Sequence, residues 1–435
     1  MTTIYSARWV VPVSSAPIEN GAVAVDGQRI AGVGPHAEIV ARFPDYKVEH
    51  FGDAIILPGL VNLHTHLELT AMRGYLENEE TDFFAWLRKL TVARLELMTP
   101  DDIRVSATWG ACEAVRAGIT CVGDASDAAM MSMMALRDVG LRGVVYQESF
   151  GPDARRAKEN FDELKSKVDH LRTLQSDLLR PGVSPHAPYT VCGAQLELIA
   201  EFAGTEGVPL MMHAAESAAE DVFMREGCGP FAEGLARRAI EWIAPGVSTV
   251  QYLKQVGVLD VKPLLAHCIR VDERDIETLR ETEAKVAHCP KSNAKLGHGR
   301  APFARFLESG IAVGLGSDSV ASNNTCDILE EARFATLMAR AGGGFVPGAD
   351  ALRVATFGTG LNEGALADLA VVSLTGVHQL PSYDPVATLI FASSGRDVIM
   401  TVVGGREVYR NGRVSGVDED RLRARMLEIN HRLIR

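Results

Sequence analysis

The stretch Leu57–His66, LPGLVNLHTH, constrains the chain more than any other. An apolar run ends in two histidines one residue apart. Alternate residues of a strand point the same way, so His64 and His66 present two imidazoles to one point. Pro58-Gly59 reads as the turn that feeds the strand. Two same-side imidazoles are costly to bury unless they are paired or bound to a metal. A pair of half-exposed histidines at a strand end is the plainer reading, and this stretch alone leaves both open.

Size and composition narrow the setting. A chain of 435 residues exceeds one hydrophobic core but suits a large α/β domain with a smaller companion. Apolar residues make up 47%, which indicates a folded, soluble chain. With 44 basic and 56 acidic residues the net charge is -12, which argues against a nucleic-acid surface. The seven cysteines are scattered, odd in number and without a CxxC, as in a reduced cytoplasmic protein. Cys268 and Cys289 directly follow histidines and are expected to point into the core. No leader-like segment opens the chain and no run is long enough to span a bilayer, so no membrane partner is expected.

Residues 1–57 are rich in short β-prone runs with Pro, Gly and Asn punctuation, too little for a core of their own. The C-terminal end has the same texture at 367–374 and 397–414, with Gly404-Gly405 and Asn411-Gly412 as turns. The economical reading joins 1–57 and 361–435 in one small composite β-sandwich domain around a body at 58–360. The last stretch, DEDRLRARMLEINHRLI, reads as an amphipathic packing helix. Between the ends, strands near 58–66, 119–124, 142–148, 183–186, 209–213, 264–267, 285–289 and 311–318 alternate with helices. The methionine-rich helix MMSMMALRDVG reads as core packing. Eight such units predict an α/β fold, a (β/α)8 TIM barrel with its site at the strand C-termini. An open doubly wound sheet is the alternative, but neither GxGxxG nor a Walker A motif is present.

Histidines mark the ends of these strands: besides His64 and His66, His186, His213, His267 and His288 sit there, and Asp318 ends the last. Each alone reads as an ordinary core residue. At the mouth of a barrel they converge, and a metal is the simplest shared reason. His64, His66, His213 and Asp318 make an N3O shell suited to zinc or iron. Asp318 also reads as a helix N-cap. Glu216, three residues past His213, is a candidate proton shuttle, with a solvated helix-start acid as the other reading.

These motifs carry a resemblance. PGLVNLHTHLE (58–68), SPHAPYTV (184–191), HAAES (213–217), AHCIRVDERD (266–275), HCPKSNAKLG (288–297) and GLGSDSVASNNTCDILEEARFA (314–335) occur in order. The chain resembles the amidohydrolase superfamily, in its mononuclear aminohydrolase and chlorohydrolase branch of methylthioadenosine/S-adenosylhomocysteine deaminases and their kin. The resemblance implies one divalent metal per chain, zinc ahead of iron, on His64, His66, His213 and Asp318. It implies Glu216 as proton-shuttling acid, His267 as the histidine that orients water, and Asp318 as proton acceptor. His186 becomes a substrate contact, and Asn293 and Leu296 pocket lining. A homodimer is compatible with the branch.

The expected reaction is hydrolytic deamination of a 6-aminopurine nucleoside, with chloride an alternative leaving group. Glu68 and the stretch FFAWLRKLTVARLE (83–96) resemble aminofutalosine deaminases of menaquinone biosynthesis more than the methylthioadenosine enzymes. Where the latter carry a ribose-binding glutamate this chain has Leu95 with Glu96 next to it, so either the register is slipped by one or the sugar is recognised differently. 6-Aminodeoxyfutalosine is therefore the narrow expectation. S-adenosylhomocysteine, methylthioadenosine or adenosine come next, then guanine- or triazine-type compounds. Glu68, Arg73, Trp86, Arg88 and Arg94 are candidates for the specificity wall, an arginine suiting a carboxylate-bearing substrate. A solvated helix face is the other reading of Arg88 and Arg94. A non-catalytic, metal-stabilised binding module is the remote alternative, and intact Glu216 and His267 weigh against it.

Overall fold

Eight short parallel strands alternate with helices through the middle of the chain, which a computed structural model describes over residues 2–434. They are β1 (Leu60–Thr65), β2 (Ile119–Ser126), β3 (Arg142–Ser149), β4 (Leu179–Pro185), β5 (Met211–Ala214), β6 (Leu264–His267), β7 (Lys285–His288) and β8 (Val313–Leu315). β1 to β4 and β5 to β8 each form a four-stranded parallel sheet. Two parallel bridges, Val183 to Leu210 and Thr65 to Asp318, close these into a barrel. The second closure needs a glycine: a Cβ on Gly316 would lie 2.7 Å from Cys289 Sγ and 2.8 Å from His64 Cβ. Without one, the end of β8 approaches β1 and the Asp318 N–H donates to the His64 carbonyl at 2.9 Å.

The crossovers follow local rules. Helix Pro100–Arg116 begins with Thr99 in a reciprocal capping box with Asp102 and proline in its first turn. The methionine-rich helix Ala129–Val139 buries Met133 completely in the core.

The chain ends share one nine-stranded sheet. Strand Ala54–Pro58 pairs antiparallel with Leu369–Ser373. Gly404-Gly405 and Asn411-Gly412 all have positive φ, as tight hairpins require. The sheet folds over on itself: Tyr5 Oη donates to Glu407 at 3.2 Å although three strands separate theirs. Val10, Val23, Ile56, Val371 and Met400 fill the space between. Helix His36–Arg42 and strand Lys47–His50 were not expected. The helix buries only Ile39 and the strand is mostly exposed, so neither leaves a periodic apolar signal.

A segment from Leu67 to Leu97 rises over the barrel mouth as 3-10 turns, helix Phe83–Val92 and a π turn. The C-terminal helix Glu419–Ile434 supports it, with Ile429 and Leu433 buried in a cluster with Met72, Trp86 and Leu296. Arg432 also donates to Asp102 at 2.6 Å. Among the described residues no helix is long and apolar enough to cross a membrane.

Candidate active site and metal centre

β1 ends by turning His64 and His66 into the barrel mouth, where β5 brings His213. Ligand atoms of the three lie within 4.8 Å of one another. His66 Nε2 and His213 Nε2 are 3.2 Å apart. Asp318 Oδ1 stands 3.5 Å from His64 Nε2 and 3.6 Å from His66 Nε2. His64 is fully buried, yet neither ring nitrogen has a protein partner. Burial pushes it down to about 4, which leaves a neutral imidazole with a free lone pair. His213 Nδ1 is 2.8 Å from the His186 carbonyl, which directs Nε2 inward.

Asp318 is fixed by its own loop. It has a left-handed φ of 56°, and its Oδ2 accepts from Ser292 Oγ at 2.6 Å and Ser322 Oγ at 2.9 Å. Burial pushes this carboxyl up, but the nearby imidazoles of His64, then His267 and His66, hold it well below the usual range. Ser319, not Asp318, caps the short helix Val320–Asn323, and Asp318 Oδ1 accepts the Ser319 N–H at 2.7 Å while facing the imidazoles. Three converging imidazole nitrogens and one carboxylate oxygen fit a divalent transition metal, and magnesium poorly.

Glu216 is buried beside this cluster. Its Oε1 lies 3.5 Å from His267 Nε2 and 3.6 Å from His298 Nε2. Successive left-handed residues, His267 at φ 74° and Cys268 at 47°, turn the end of β6. His267 Nδ1 then meets Asn293 Oδ1 at 2.8 Å, and Cys268 is buried in the core. Burial pushes His267 down, but Glu216 and Asp318 outweigh it and raise its pKa above the ordinary value.

The remaining predicted residues fall into three groups. His186 is near the cluster, its ring 4.7 Å from that of His213 and its Nδ1 2.9 Å from Thr190 Oγ1. Glu68 and Arg94 meet each other: Arg94 Nε donates to Glu68 at 2.7 Å and Nη1 to Asp127 at 3.0 Å. Ser126 Oγ and the Ala128 N–H also donate to Glu68. Burial pushes the Glu68 carboxyl up, but Arg94 outweighs it and its pKa is lowered. Trp86 and Leu296 lie in the apolar cluster under the segment over the mouth. Trp86 stacks on Phe83, and Phe83 stands edge-on to His298 at 4.6 Å. Arg73 is bonded to Glu113 and the Asn324 carbonyl, and Arg88 is exposed. Neither is gathered with the histidines.

Four further side chains sit at the site without having been singled out from sequence: Glu148, His298, Phe83 and Glu220. Glu148 and His298 are buried and each has a polar atom with no partner. Nothing local distinguishes them, except that Glu148 ends a strand of the same barrel.

A parallel eight-stranded barrel with an N3O cluster at its mouth, fit to hold a metal ion, defines the class. The chain belongs to the amidohydrolase family, whose model matches residues 55–408, and residues 21–45 match an imidazolonepropionase-like composite domain of bacteria. It is similar to a 5-methylthioadenosine/S-adenosylhomocysteine deaminase of Pelotomaculum thermopropionicum, 31% identical over 93% of this chain and 92% of the relative. A 5'-deoxyadenosine deaminase of Methanothrix thermoacetophila is also 31% identical, over 93% and 94%. Among solved structures, an adenosine deaminase from Xanthomonas campestris with bound zinc superposes with a TM-score of 0.87 at 26% identity, over 99% of this chain and 98% of that one. The chain is a hydrolytic enzyme of this family.

Proposed function

We propose that this enzyme removes the exocyclic amine of a 6-aminopurine nucleoside. Water adds at the carbon bearing the amine, the carbon–nitrogen bond breaks, and ammonia and the lactam leave. The observation that carries this reading is the buried Glu216, set 3.5 Å from His267 on the flank of the histidine cluster. A carboxylate there can take a proton from water and return it to a ring nitrogen, which makes an electron-rich amidine open to attack. His267, held by Asn293, turns its Nε2 toward the attacking water. Asp318, clamped by two serines, receives a proton as the amine departs. Fixed charges around the mouth stabilise the tetrahedral intermediate.

The residues His64, His66, His213 and Asp318 would hold one divalent ion, zinc ahead of iron. Such an ion supplies the Lewis acidity that lowers the pKa of a bound water.

Within this substrate class 6-aminodeoxyfutalosine is our first reading. Two observations support it: Leu95, where the methylthioadenosine enzymes are expected to carry a ribose-binding glutamate, is 64% exposed. The second is that Arg88 on helix Phe83–Val92 has no ion-pair partner among the described residues and would suit a benzoate-type carboxylate only if a long 5' substituent reaches out of the mouth, since its side chain is exposed and apart from the histidines. Arg94 does not serve that role, being engaged by Glu68 and Asp127. Methylthioadenosine, S-adenosylhomocysteine and 5'-deoxyadenosine form the second reading, favoured by what the relatives are named for. Ammonia release from these nucleosides, with metal-loaded and chelated protein, tests both. Turnover of aminodeoxyfutalosine alone selects the first reading. Lack of turnover of every aminopurine nucleoside by loaded protein overturns the function.

A further inference from the structure

Glu148 is the last residue but one of β3 and is buried at the barrel mouth, 6% exposed. Its Oε1 has no hydrogen-bond partner. One of its carboxylate oxygens, a nitrogen of His186 and a nitrogen of His213 lie within 4.8 Å of one another. His186 Nδ1 is held by Thr190, so its Nε2 is free for a ligand. The nearby cation does not compensate Glu148: the guanidinium of Arg94 gives its hydrogen bonds to Glu68 and Asp127. A buried carboxyl group without donors is costly: burial and the neighbouring Glu68 and Asp127 push its pKa well up, and a ligand that brings donors would relieve it.

A second metal ion is poorly served here. His213 Nε2 already belongs to the cluster with His64 and His66, which leaves two ligands, fewer than a stable site takes. Hydroxyl donors fit better. A carboxylate only accepts, and a vicinal diol offers two O–H groups to its two oxygens.

We propose that Glu148 is a specificity-determining residue that accepts hydrogen bonds from the 2'- and 3'-hydroxyls of the substrate ribose, with His186 Nε2 beside it. The assignment rests on the nucleoside deaminase reading, and is independent of what the 5' position carries. It makes β3, rather than the segment over the mouth, the place where the sugar is read.

The test compares kcat/KM of wild type, Glu148→Gln and Glu148→Ala on adenosine and 2',3'-dideoxyadenosine, or the same pair for whichever nucleoside is turned over. Wild type should prefer the ribonucleoside by about ten- to a hundredfold, the worth of two hydrogen bonds. In Glu148→Ala that ratio should fall close to one, with metal content retained. Glu148→Gln, the gentler change for folding, should fall between. A nucleoside deaminase whose ribo-to-dideoxy ratio is unmoved by either substitution overturns the diol assignment alone. A drop from two metal ions per chain to one in Glu148→Ala overturns it in favour of a second metal site. Lack of turnover of every aminopurine nucleoside by metal-loaded wild type removes the deaminase reading and the diol assignment with it.

Discussion

The carboxylate of Glu220 lies behind Glu216 and accepts its main-chain N–H at 2.9 Å, together with that of Ala215 at 2.8 Å. Ala215 has a φ of 52°, so this bidentate acceptor holds a strained turn that aims the Glu216 side chain. Thr249 Oγ1 donates to the same carboxylate at 2.7 Å. Glu220 is therefore a positioning residue. Glu220→Ala should lower kcat by roughly a hundredfold, as a misplacement near 1 Å does, with KM and metal content little changed. Glu220→Gln keeps one acceptor oxygen and should recover part of the loss. Equal losses in both variants, together with lost metal, would point to a merely structural role.

Glu216→Gln keeps the shape of the side chain and removes its proton-accepting charge. The variant should bind metal as wild type does and lose about 10²- to 10⁴-fold in turnover, the usual worth of a general acid–base. Metal analysis beside single-turnover kinetics checks this. A metal-free Glu216→Gln protein would show that the residue had been given the wrong role.

Glu331 supplies a pH dependence away from the metal ligands. It is fully buried in helix Ile328–Ala341, where it accepts from Asn323 Nδ2 at 2.6 Å and the Lys291 N–H at 3.2 Å. Burial pushes its pKa up to about 8 from 4.5. Between those values the folded chain keeps a proton that the unfolded chain has lost. Stability is thus fully present below the unfolded value and falls by up to about 1.4 kcal/mol per pH unit as pH rises toward 8. Urea unfolding of wild type and Glu331→Gln from pH 5 to 9 should show the variant gaining on wild type as pH rises. A difference between them that is flat with pH would count against the raised pKa.

Ile429 anchors the C-terminal helix in the cluster that also holds Trp86 and Leu296. It is completely buried, so Ile429→Ala should cost about 2–5 kcal/mol. Because the same cluster underlies the segment over the mouth, KM should rise as well. A shift in the denaturant midpoint with no change in KM would separate the helix from the site.

How far the sequence went can be seen residue by residue. His64 and His66 were legible because a period of two at a strand end leaves little other use for paired imidazoles. Barrel strands were legible because each is a short apolar run closed by a polar residue, and strands found near 119–124 and 264–267 begin where expected. Glu68 and Arg94 were both set against the substrate, yet they neutralise each other across 26 residues, a pairing that no local pattern reveals. Glu148 reads like any acid at a strand end until the neighbours β2 and β4 bury it. His298 sits between two glycines in a loop, where no periodicity applies. Its relation to Glu216 exists only in three dimensions.

The sheet shared by the two chain ends can be completed only late in synthesis. Strand Ala54–Pro58 emerges early, but its partner Leu369–Ser373 and the buried Ile429 and Leu433 come only near the end of translation. Through most of synthesis that apolar strand has an open edge, and the segment over the mouth lacks the support of the last helix. Such an edge is a template for pairing with another chain. Ribosome-bound intermediates should therefore be the most aggregation-prone state of this enzyme, with protection arriving only with the final helix.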